Sequence, residues 1–273
     1  MSRVGNYIQG TDVHDSMIIQ DKVAFVTGGA QGIGRAICEA LLKKGAKVII
    51  ADIDAANGKL TVSELATEYA DNVTFIECDV TNQESVEDTL GKAKDTYGRL
   101  DIIGNNAGAM MENDPIGTIN LNLCGVMRVA AVAMSYMRAD KGGSGGIIIN
   151  TASLTGVKPS YNCPAYCASK SGVIGFTRSF AMNPDFDLHK VRMNCLCPGM
   201  VDTPMIQGVL DEDGKEGRVL NFDRFRYAVN LPQLKPSAVA DVFIDLVENE
   251  SKNGAAMLIT VEGPPRDIEF PIY

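Results

Sequence analysis

The sequence predicts an α/β protein built around one doubly wound sheet of about seven parallel strands, with helices on both faces. Short apolar runs rich in Val and Ile alternate with longer segments of helical period, which is the pattern of repeated strand–helix–strand units. The chain has 273 residues, of which 45% are hydrophobic and 22% are charged, a composition typical of folded globular proteins. These two observations exclude disordered, collagenous and coiled-coil chains.

Seven apolar runs are predicted as the strands of this sheet. They are rich in β-branched residues and are separated by segments of helical period, as the strands of a parallel sheet are. Their bounds are Val23–Thr27, Lys47–Asp52, Val73–Cys78, Leu100–Asn105, Gly146–Thr151, Val191–Cys197 and Ala256–Val261.

Six segments of helical period lie between or after these runs. In the first, Ile33, Ile37 and Leu41 recur every four residues and Gly45 follows two lysines, so we expect an amphipathic helix from about Gly34 to Lys44. The other predicted helices are Ala55–Tyr69, Ser85–Tyr97, Ile116–Arg138, Tyr166–Met182 and Ser237–Glu250.

The domain organisation predicted from these elements is simple. Residues 21–273 form a single domain, and residues 1–20, which lack periodicity, form a loosely ordered extension. Residues 201–234 are polar and weakly periodic for a connection of this length. We expect this segment to be a surface excursion or a lid over a site.

Charge and hydropathy exclude two classes of partner. The chain carries 25 Lys and Arg against 34 Asp and Glu, a formal charge of −9, whereas nucleic-acid-binding proteins concentrate positive charge. No stretch reaches the roughly 18 uninterrupted apolar residues of a membrane span. The first 20 residues lack the apolar region of a signal peptide and include Asp12 and Asp15. We therefore expect no nucleic acid and no membrane partner.

The cysteines predict a reducing environment. Seven cysteines are an odd number in a chain without a secretion signal, which favours free thiols and a cytoplasmic protein. A metal site would have to use Cys163 with Cys167 or Cys195 with Cys197, but there is no C-x-x-C motif and the chain has two histidines. We expect buried, reduced thiols and no metal.

A glycine-rich turn, Thr27–Gly34, joins the first strand directly to the first helix. Backbone amides at a helix N-terminus attract phosphate, and glycines let a pyrophosphate approach closely. Asp52 ends the second strand, where an acid accepts hydrogen bonds from a ribose and repels a 2′-phosphate, so NAD is favoured over NADP. Two alternatives remain open: Asp52 caps the next helix, a role Asp54 could also fill, or Arg35 reaches a 2′-phosphate.

Four motifs resemble those of the short-chain dehydrogenase/reductase family. The glycine turn reads T-G-x-x-x-G-x-G, and Asn105–Gly108 reads N-N-A-G after the fourth strand. Tyr166 and Lys170 match Y-x-x-x-K, and Pro198–Thr203 matches P-G-x-V-x-T. The motifs occur in the family's order, and the resemblance covers nearly the whole chain from Lys22 onward.

The resemblance implies a Rossmann-type fold, an NAD cofactor and a homodimer formed by the Ile116–Arg138 and Tyr166–Met182 helices. It also implies which residues contact the cofactor. They are Gly28, Gln31, Gly32, Ile33, Gly34, Asp52, Ile53, Asp79, Val80, Asn106, Ala107, Gly108, Tyr166, Lys170, Pro198, Gly199, Val201 and Thr203.

Tyr166 and Lys170 are four residues apart, one turn apart on one helix face. A phenol, with a reference pKa of about 10, becomes a base at neutral pH when a neighbouring ammonium stabilises its anion. The resemblance assigns Ser153, thirteen residues before the tyrosine, to the reacting oxygen, with Thr151 and Thr155 as fallback hydroxyls.

The resemblance also assigns an asparagine that holds a water of the proton relay. Two asparagines, Asn120 and Asn122, lie in the matching segment. We prefer Asn122 because the family's motif has a glycine three residues after it, and here that glycine is Gly125.

The implied reaction is NAD-dependent oxidation of a secondary alcohol to a ketone. Within the family the chain looks most like members that oxidise prostaglandins, but two positions expected to contact the substrate differ. Cys163 replaces a glutamine that would hydrogen-bond the substrate, and Met200 replaces an aromatic pocket wall. The alternatives are a different small alcohol, a steroid or a retinoid, or a cofactor-binding regulator without turnover.

Overall fold

The strands of the computed structural model, which describes residues 17–211 and 217–270, form one eight-stranded sheet in the order β3-β2-β1-β4-β5-β6-β7-β8. All seven predicted strands are present and pair in parallel, with ends shifted by at most two residues. Their bounds are β1 (Val23–Thr27), β2 (Lys47–Asp52), β3 (Val73–Glu77), β4 (Ile102–Asn105), β5 (Gly146–Thr151), β6 (Val191–Pro198) and β7 (Ala256–Thr260).

The eighth strand, β8 (Gly263–Asp267), was not predicted and is antiparallel to β7, so the sheet is not wholly parallel. Its sequence, GPPRD, contains two prolines and no apolar alternation, and every residue in it is exposed. An edge strand tolerates proline because one side of its backbone has no partner strand. A strand of this kind carries no hydropathy signal in the sequence.

The six predicted helices are all present, and three further short helices occur in the described part of the chain. The helices are α1 (Gly32–Lys43), α2 (Ala55–Tyr69), α3 (Gln83–Tyr97), α4 (Pro115–Ile119), α5 (Gly125–Met137), α6 (Pro164–Ala181), α7 (Phe186–His189), α8 (Pro204–Asp211), α9 (Phe222–Val229) and α10 (Pro236–Glu248). The unpredicted ones are α7, α8 and α9. The last two lie inside the segment 201–234, which we call the lid segment.

The predicted helix Ile116–Arg138 is interrupted by a π-helical turn. Residues 120–124 form that turn, and α4, the turn and α5 together run continuously from Pro115 to Met137. By length and composition alone this helix could cross a membrane, since its mean hydropathy reaches 1.4. It connects two neighbouring strands of one sheet, however, and buries Val129 and Ala133 against that sheet. Its apolar character therefore suits a helix that packs on a sheet.

Two apolar layers cover the two faces of the sheet. On one face α1 and α10 pack together, burying Leu41 and Phe243 completely. On the other face α3 and α5 contribute Leu90 and Val129, which pack against Phe25 of the central strand. The side-chain periodicities read from the sequence correspond to these two layers, as a doubly wound sheet requires.

Only the end of the predicted N-terminal extension lies within the described residues. Residues 1–16 fall outside them. Residues 17–20 pack onto the domain rather than remaining loose: the Met17 amide donates to the Glu248 carbonyl at 3.1 Å, and Ile19 is buried in the α1–α10 layer. The domain therefore begins a few residues earlier than the sequence predicts.

Candidate active site

The strand order reverses direction between β1 and β4, and the loops that follow these strands form a crevice at the carboxyl edge of the sheet. Thr27, the last residue of β1, holds the two loops together. Its hydroxyl oxygen accepts hydrogen bonds from the amides of Asn106 and Ala107 at 2.9 and 3.0 Å. The Asn106 side chain in turn donates to the Gly28 carbonyl at 3.1 Å. The predicted cofactor residues of these two loops therefore lie together.

The glycine turn requires glycine because its backbone is crowded. Gly28 has a φ of +61°, and a Cβ atom there would lie 2.8 Å from the Ala107 Cα. A Cβ atom on Gly34 would lie 2.0 Å from the Gly28 carbonyl oxygen. Gln31 precedes α1 without a side-chain cap, and the first turn of α1 contains no acid. The first amides of the helix are thus left to an anion such as a pyrophosphate.

Asp52 lies beside this turn, and it is not the residue that caps the following helix, α2. The cap of α2 is Asp54, whose carboxylate accepts from the Asn57 amide at 3.0 Å. Asp52 accepts from the Ala30 amide in the glycine turn and from the Asp54 amide, both at 3.0 Å. Its carboxylate therefore lies at the mouth of the crevice, with Ile53 65% exposed next to it.

Arg35, the residue that could have favoured a 2′-phosphate, has another partner. Its guanidinium pairs with the Glu64 carboxylate at 2.7 Å. Both side chains are about two-fifths exposed, so the pair is a weak surface interaction. The pairing nevertheless orients Arg35 towards α2, which agrees with the preference for NAD drawn from Asp52.

The remaining predicted cofactor residues occupy the edges of the same crevice. After β3, the Asp79 carboxylate accepts from the Thr81 amide at 2.8 Å and shapes the turn, while Val80 packs against Gly125. After β6, Thr203 lies against the glycine turn, because a Cβ atom on Gly32 would lie 3.4 Å from the Thr203 methyl. The stretch between β6 and Thr203 is held at Gly199, whose amide donates to the Ile259 carbonyl. Pro198, Gly199 and Val201 therefore enter the crevice from the β6 end, and Ile33 lies in the first turn of α1.

Ser153, Tyr166 and Lys170 come together although they arise from two different elements. Ser153 follows β5, whereas Tyr166 and Lys170 lie in the first two turns of α6. The Ser153 side chain lies beside the Tyr166 phenol. The Lys170 ammonium lies 5.5 Å from the Tyr166 ring centre and donates to the Thr151 carbonyl at 2.7 Å. All three side chains are buried.

Burial controls the protonation of this group. It raises the pKa of the Tyr166 phenol above its ordinary value, and the neighbouring Ser153 side chain lowers that pKa only in part. Burial also lowers the pKa of Lys170 from 10.5 to about 8. Burial is thus the largest influence on the phenol, and the lowering of its pKa by the Lys170 ammonium stays a prediction.

The fallback hydroxyls of the sequence analysis do not take the place of Ser153. The Thr155 hydroxyl donates to the Ser153 oxygen at 3.0 Å, and the Thr155 amide donates to the same oxygen at 3.1 Å. The Thr151 hydroxyl instead donates to the Asn106 side chain at 3.1 Å. Thr155 therefore orients Ser153, and Ser153 is the hydroxyl beside the phenol.

Asn122 lies in the π-helical turn and is fully buried, whereas its competitor Asn120 is exposed. Its side chain makes a two-way pair with the Ala109 backbone, accepting at 2.9 Å and donating at 2.8 Å. A Cβ atom on Gly108 would lie 3.0 Å from the Asn122 oxygen and 3.4 Å from the Lys170 ammonium nitrogen. Asn122 and Lys170 thus face the same small space. A π-helical turn often marks a functional position.

An apolar cluster closes over the tyrosine from the side of the lid segment. Its members come from the loop after β4, the start of α6, and helices α8 and α9: Met110, Cys163, Tyr166, Cys167, Ile206, Val209, Val219, Phe225 and Val229. Met200, the predicted wall residue, packs against this cluster. Most of these side chains were not identified from the sequence, because α8 and α9 are short and weakly periodic. The surroundings of the phenol are apolar.

Cys163, the predicted substrate contact, lies at the N-terminus of α6 within this cluster. It is 4% exposed, and its sulfur lies 3.9 Å from that of Cys167. Burial, followed by the neighbouring Cys167, raises the pKa of its thiol to about 12. Cys163 is therefore a neutral, apolar surface beside the phenol and a poor nucleophile.

Comparison with known proteins agrees with this geometry. Residues 22–214 match the family described as short chain dehydrogenase. The chain belongs to that family. It is 42% identical over 259 residues to 15-hydroxyprostaglandin dehydrogenase [NAD(+)] of Mus musculus, covering 94% of this chain and 95% of that protein.

More distant members show how far the likeness extends. The chain is 33% identical over 261 residues to 3-hydroxyacyl-CoA dehydrogenase type-2 of Drosophila melanogaster, covering 89% of this chain and 97% of that protein. The crystal structure of gox2181 superposes with a TM-score of 0.76 at 29% identity, covering 88% of this chain and 95% of that one. The likeness to these proteins therefore extends over nearly nine-tenths of the chain.

Proposed function

We propose that this protein is an NAD-dependent dehydrogenase that oxidises a secondary alcohol to a ketone. The observation that carries the proposal is the buried group of Ser153, Tyr166 and Lys170 beside a glycine turn built to accept a pyrophosphate. A cofactor-binding regulator without turnover has no need of three polar side chains buried together. The similarity to 15-hydroxyprostaglandin dehydrogenase [NAD(+)] supports the same reaction.

The crevice fits a dinucleotide. Gly28 and Gly34 leave room that a Cβ atom would fill, and the first amides of α1 remain available for the pyrophosphate. Asp52 would hold an adenosine ribose, because a carboxylate accepts from the ribose hydroxyls and repels a 2′-phosphate. Lys170 lies where it can hold the second ribose. When bound, NAD accepts the hydride from the alcohol carbon.

The protein's own residues orient the alcohol and move its proton. Ser153, held by Thr155, donates to the reacting oxygen and fixes its distance from Tyr166. Tyr166 accepts the alcohol proton, and the Lys170 ammonium, which survives at neutral pH with a pKa of about 8, stabilises the resulting phenolate. Asn122 holds the water through which the proton leaves towards solvent. Each oxidised alcohol gives one ketone, one NADH and one released proton.

The apolar cluster favours a lipid-like substrate. Met110, Met200 and the buried residues of α8 and α9 place hydrocarbon around the phenol. We propose a prostaglandin or another hydroxylated lipid, in keeping with the names of the relatives that are 41–42% identical. Cys163 favours the second candidate, a less polar alcohol such as a steroid or retinoid, because a thiol is a weak hydrogen-bond partner.

The test is the appearance of reduced nicotinamide absorbance when the protein is mixed with NAD and a panel of alcohols. The panel contains prostaglandins, hydroxylated fatty acids, steroids, retinoids and simple secondary alcohols, each also run with NADP. We expect turnover with NAD on at least one apolar secondary alcohol. Absence of turnover across the panel, with NADH still binding tightly, would instead support a regulator without chemistry.

We further propose a cytoplasmic homodimer formed through α5 and α6. Only 44% of the most apolar window of helix Pro115–Met137 is buried within one chain, and Met127 on that helix is 44% exposed. A second copy would cover this surface. Light scattering at micromolar concentration should give twice the chain mass of 29.2 kDa, and a monomer mass would contradict the proposal.

A further inference from the structure

The N-terminus of the helix that carries Tyr166 has no cap from its own sequence. Cys163 precedes α6 and makes no side-chain cap hydrogen bond, and Pro164 at the first helical position has no amide hydrogen. The amides of Ala165 and Tyr166 are therefore the first that need an acceptor from elsewhere. A helix that carries the proposed base would otherwise begin with two unsatisfied donors.

Glu112, in the loop after β4, supplies both acceptors. One of its carboxylate oxygens accepts from the Tyr166 amide at 2.9 Å, and the other accepts from the Ala165 amide at 3.1 Å. The residue is 8% exposed. A carboxylate is well suited to this position because the first turn of a helix carries partial positive charge and charge-assisted hydrogen bonds are strong.

The same loop is attached to the lid segment. The Glu112 amide donates to the Arg218 carbonyl at 3.3 Å, and two residues later the Leu220 amide donates to the Asn162 carbonyl at 2.9 Å. Met111 is braced on the other side, where its carbonyl accepts from the Thr118 hydroxyl at 2.7 Å. Residues 218–220 therefore bridge the loop that holds Glu112 and the loop that enters α6.

We propose that Glu112 is a positioning residue for Tyr166 and that residues 218–220 hold Glu112 in place. The proposal rests on the function proposed above, in which Tyr166 is the base. Glu112 fixes the backbone of the first turn of α6, and with it the direction in which the phenol meets Ser153.

The first test compares Glu112→Ala with Glu112→Gln. The alanine variant loses both acceptors, whereas glutamine keeps one carbonyl oxygen for the Tyr166 amide. We expect kcat to fall about 10- to 100-fold in Glu112→Ala, because small displacements of a reacting group have effects of this size. Glu112→Gln should recover part of that loss. The KM for NAD and the affinity for NADH should stay within about twofold, since the glycine turn does not contact Glu112.

A matched control separates positioning from loss of a helix cap in general. Asn82 caps α3 by accepting from the Ser85 amide at 3.0 Å, and Asn82→Ala removes a cap from a helix that does not carry Tyr166. We expect Asn82→Ala to lower the melting temperature with little change in kcat. If Glu112→Ala also lowers only the melting temperature, Glu112 is merely structural and the proposal is wrong. An equal loss of NADH affinity in Glu112→Ala would also overturn it.

The second test measures the link to the lid segment. Trypsin cleaves after Arg218, Arg224 and Arg226, and its rate on the folded protein reports opening of this region. We expect several-fold faster cleavage there in Glu112→Ala and no change in Asn82→Ala. Unchanged cleavage in Glu112→Ala would refute the link. Retained turnover in Tyr166→Phe would instead refute the proposed function, so the two failures are distinguishable.

Discussion

The glycine turn after β1 and the lid segment after β6 line the same crevice, but they are held in different ways. The turn is fixed by backbone crowding at Gly28 and Gly34 and by hydrogen bonds that Thr27 and Asp52 accept from backbone amides. The lid segment has its two ends joined by a bridge between Val201 and Leu234. Between those ends, its described residues 202–211 and 217–233 contact the rest of the chain through backbone hydrogen bonds and apolar side chains.

The site therefore has two halves with different properties: a cofactor half around the glycine turn and a substrate half around the lid segment. The half that fits the cofactor is made of backbone that belongs to the central strands, so it is rigid and specified by short motifs. The half that we propose covers the substrate includes side chains on two short helices, which can be repacked without disturbing the sheet. Changes in the first half should alter cofactor binding or folding, and changes in the second should alter substrate selection.

The largest effect is expected at Tyr166, where the two halves meet. Tyr166→Phe keeps the ring and removes the proton acceptor, so turnover should be abolished, a loss of at least about 10²–10⁴-fold. NADH affinity, measured by fluorescence titration, should change little. Tyr161→Phe, which removes the same hydroxyl from an exposed ring on the loop before α6, is the matched control and should remain active. Substantial turnover in Tyr166→Phe would mean that another group is the base.

The next largest effect is expected when the same substitution, Phe to Ala, is made in each of the two regions. Phe25 lies fully buried in the central strand, and Phe225 lies buried in α9 of the lid segment. Phe25→Ala should lower the free energy of unfolding by about 3–5 kcal/mol, as large cavities in cores do. Phe225→Ala should lower it less and should raise the KM for the alcohol while NADH affinity is kept. Denaturant unfolding and steady-state kinetics give both numbers, and equal losses of stability would contradict the comparison.

A smaller effect is expected within the cofactor half. NAD should be favoured over NADP at least tenfold in kcat/KM, and Asp52→Ala should narrow that ratio because the carboxylate no longer repels a 2′-phosphate. Asp54→Ala is the control: it removes the cap of α2, costing about 0.5–2 kcal/mol of stability, but should leave the ratio unchanged. Comparable efficiencies with both cofactors in the parent protein would contradict the assignment of Asp52.

The smallest effect is expected at Cys163, in the substrate half. A neutral hydrogen bond contributes roughly 0.5–1.5 kcal/mol, or about two- to tenfold in binding. Cys163→Gln should improve kcat/KM for a prostaglandin by this factor if the pocket otherwise suits one. If the pocket is shaped for a less polar alcohol, the longer side chain should lower activity on that alcohol and add none on prostaglandins. Equal values on every substrate would show that position 163 does not contact the substrate.

Much of the fold could be predicted because its signals are local. Five of the seven parallel strands are buried on both faces and therefore appear as continuous apolar runs, and the six longer helices keep a regular apolar face. β8 was missed because an exposed edge strand with two prolines has no such signal. The helices α8 and α9 were missed because their apolar residues number only a few and pack on the site rather than on the sheet.

The amino-acid sequence by itself determined the family and the cofactor turn, and it predicted Ser153, Asn122, Tyr166 and Lys170 as site residues, because each depends on residue type at fixed spacing. Tertiary structure alone decided which groups surround them. Burial raised the pKa of Tyr166, which the spacing of two residues on a helix could not reveal. Likewise, Pro164 and the uncapped start of α6 signal that an acceptor is needed, but only the folded chain brings Glu112, 54 residues away, to supply it. Spacing fixes neighbours along one element, whereas desolvation and contacts between distant segments depend on the packing of the whole chain.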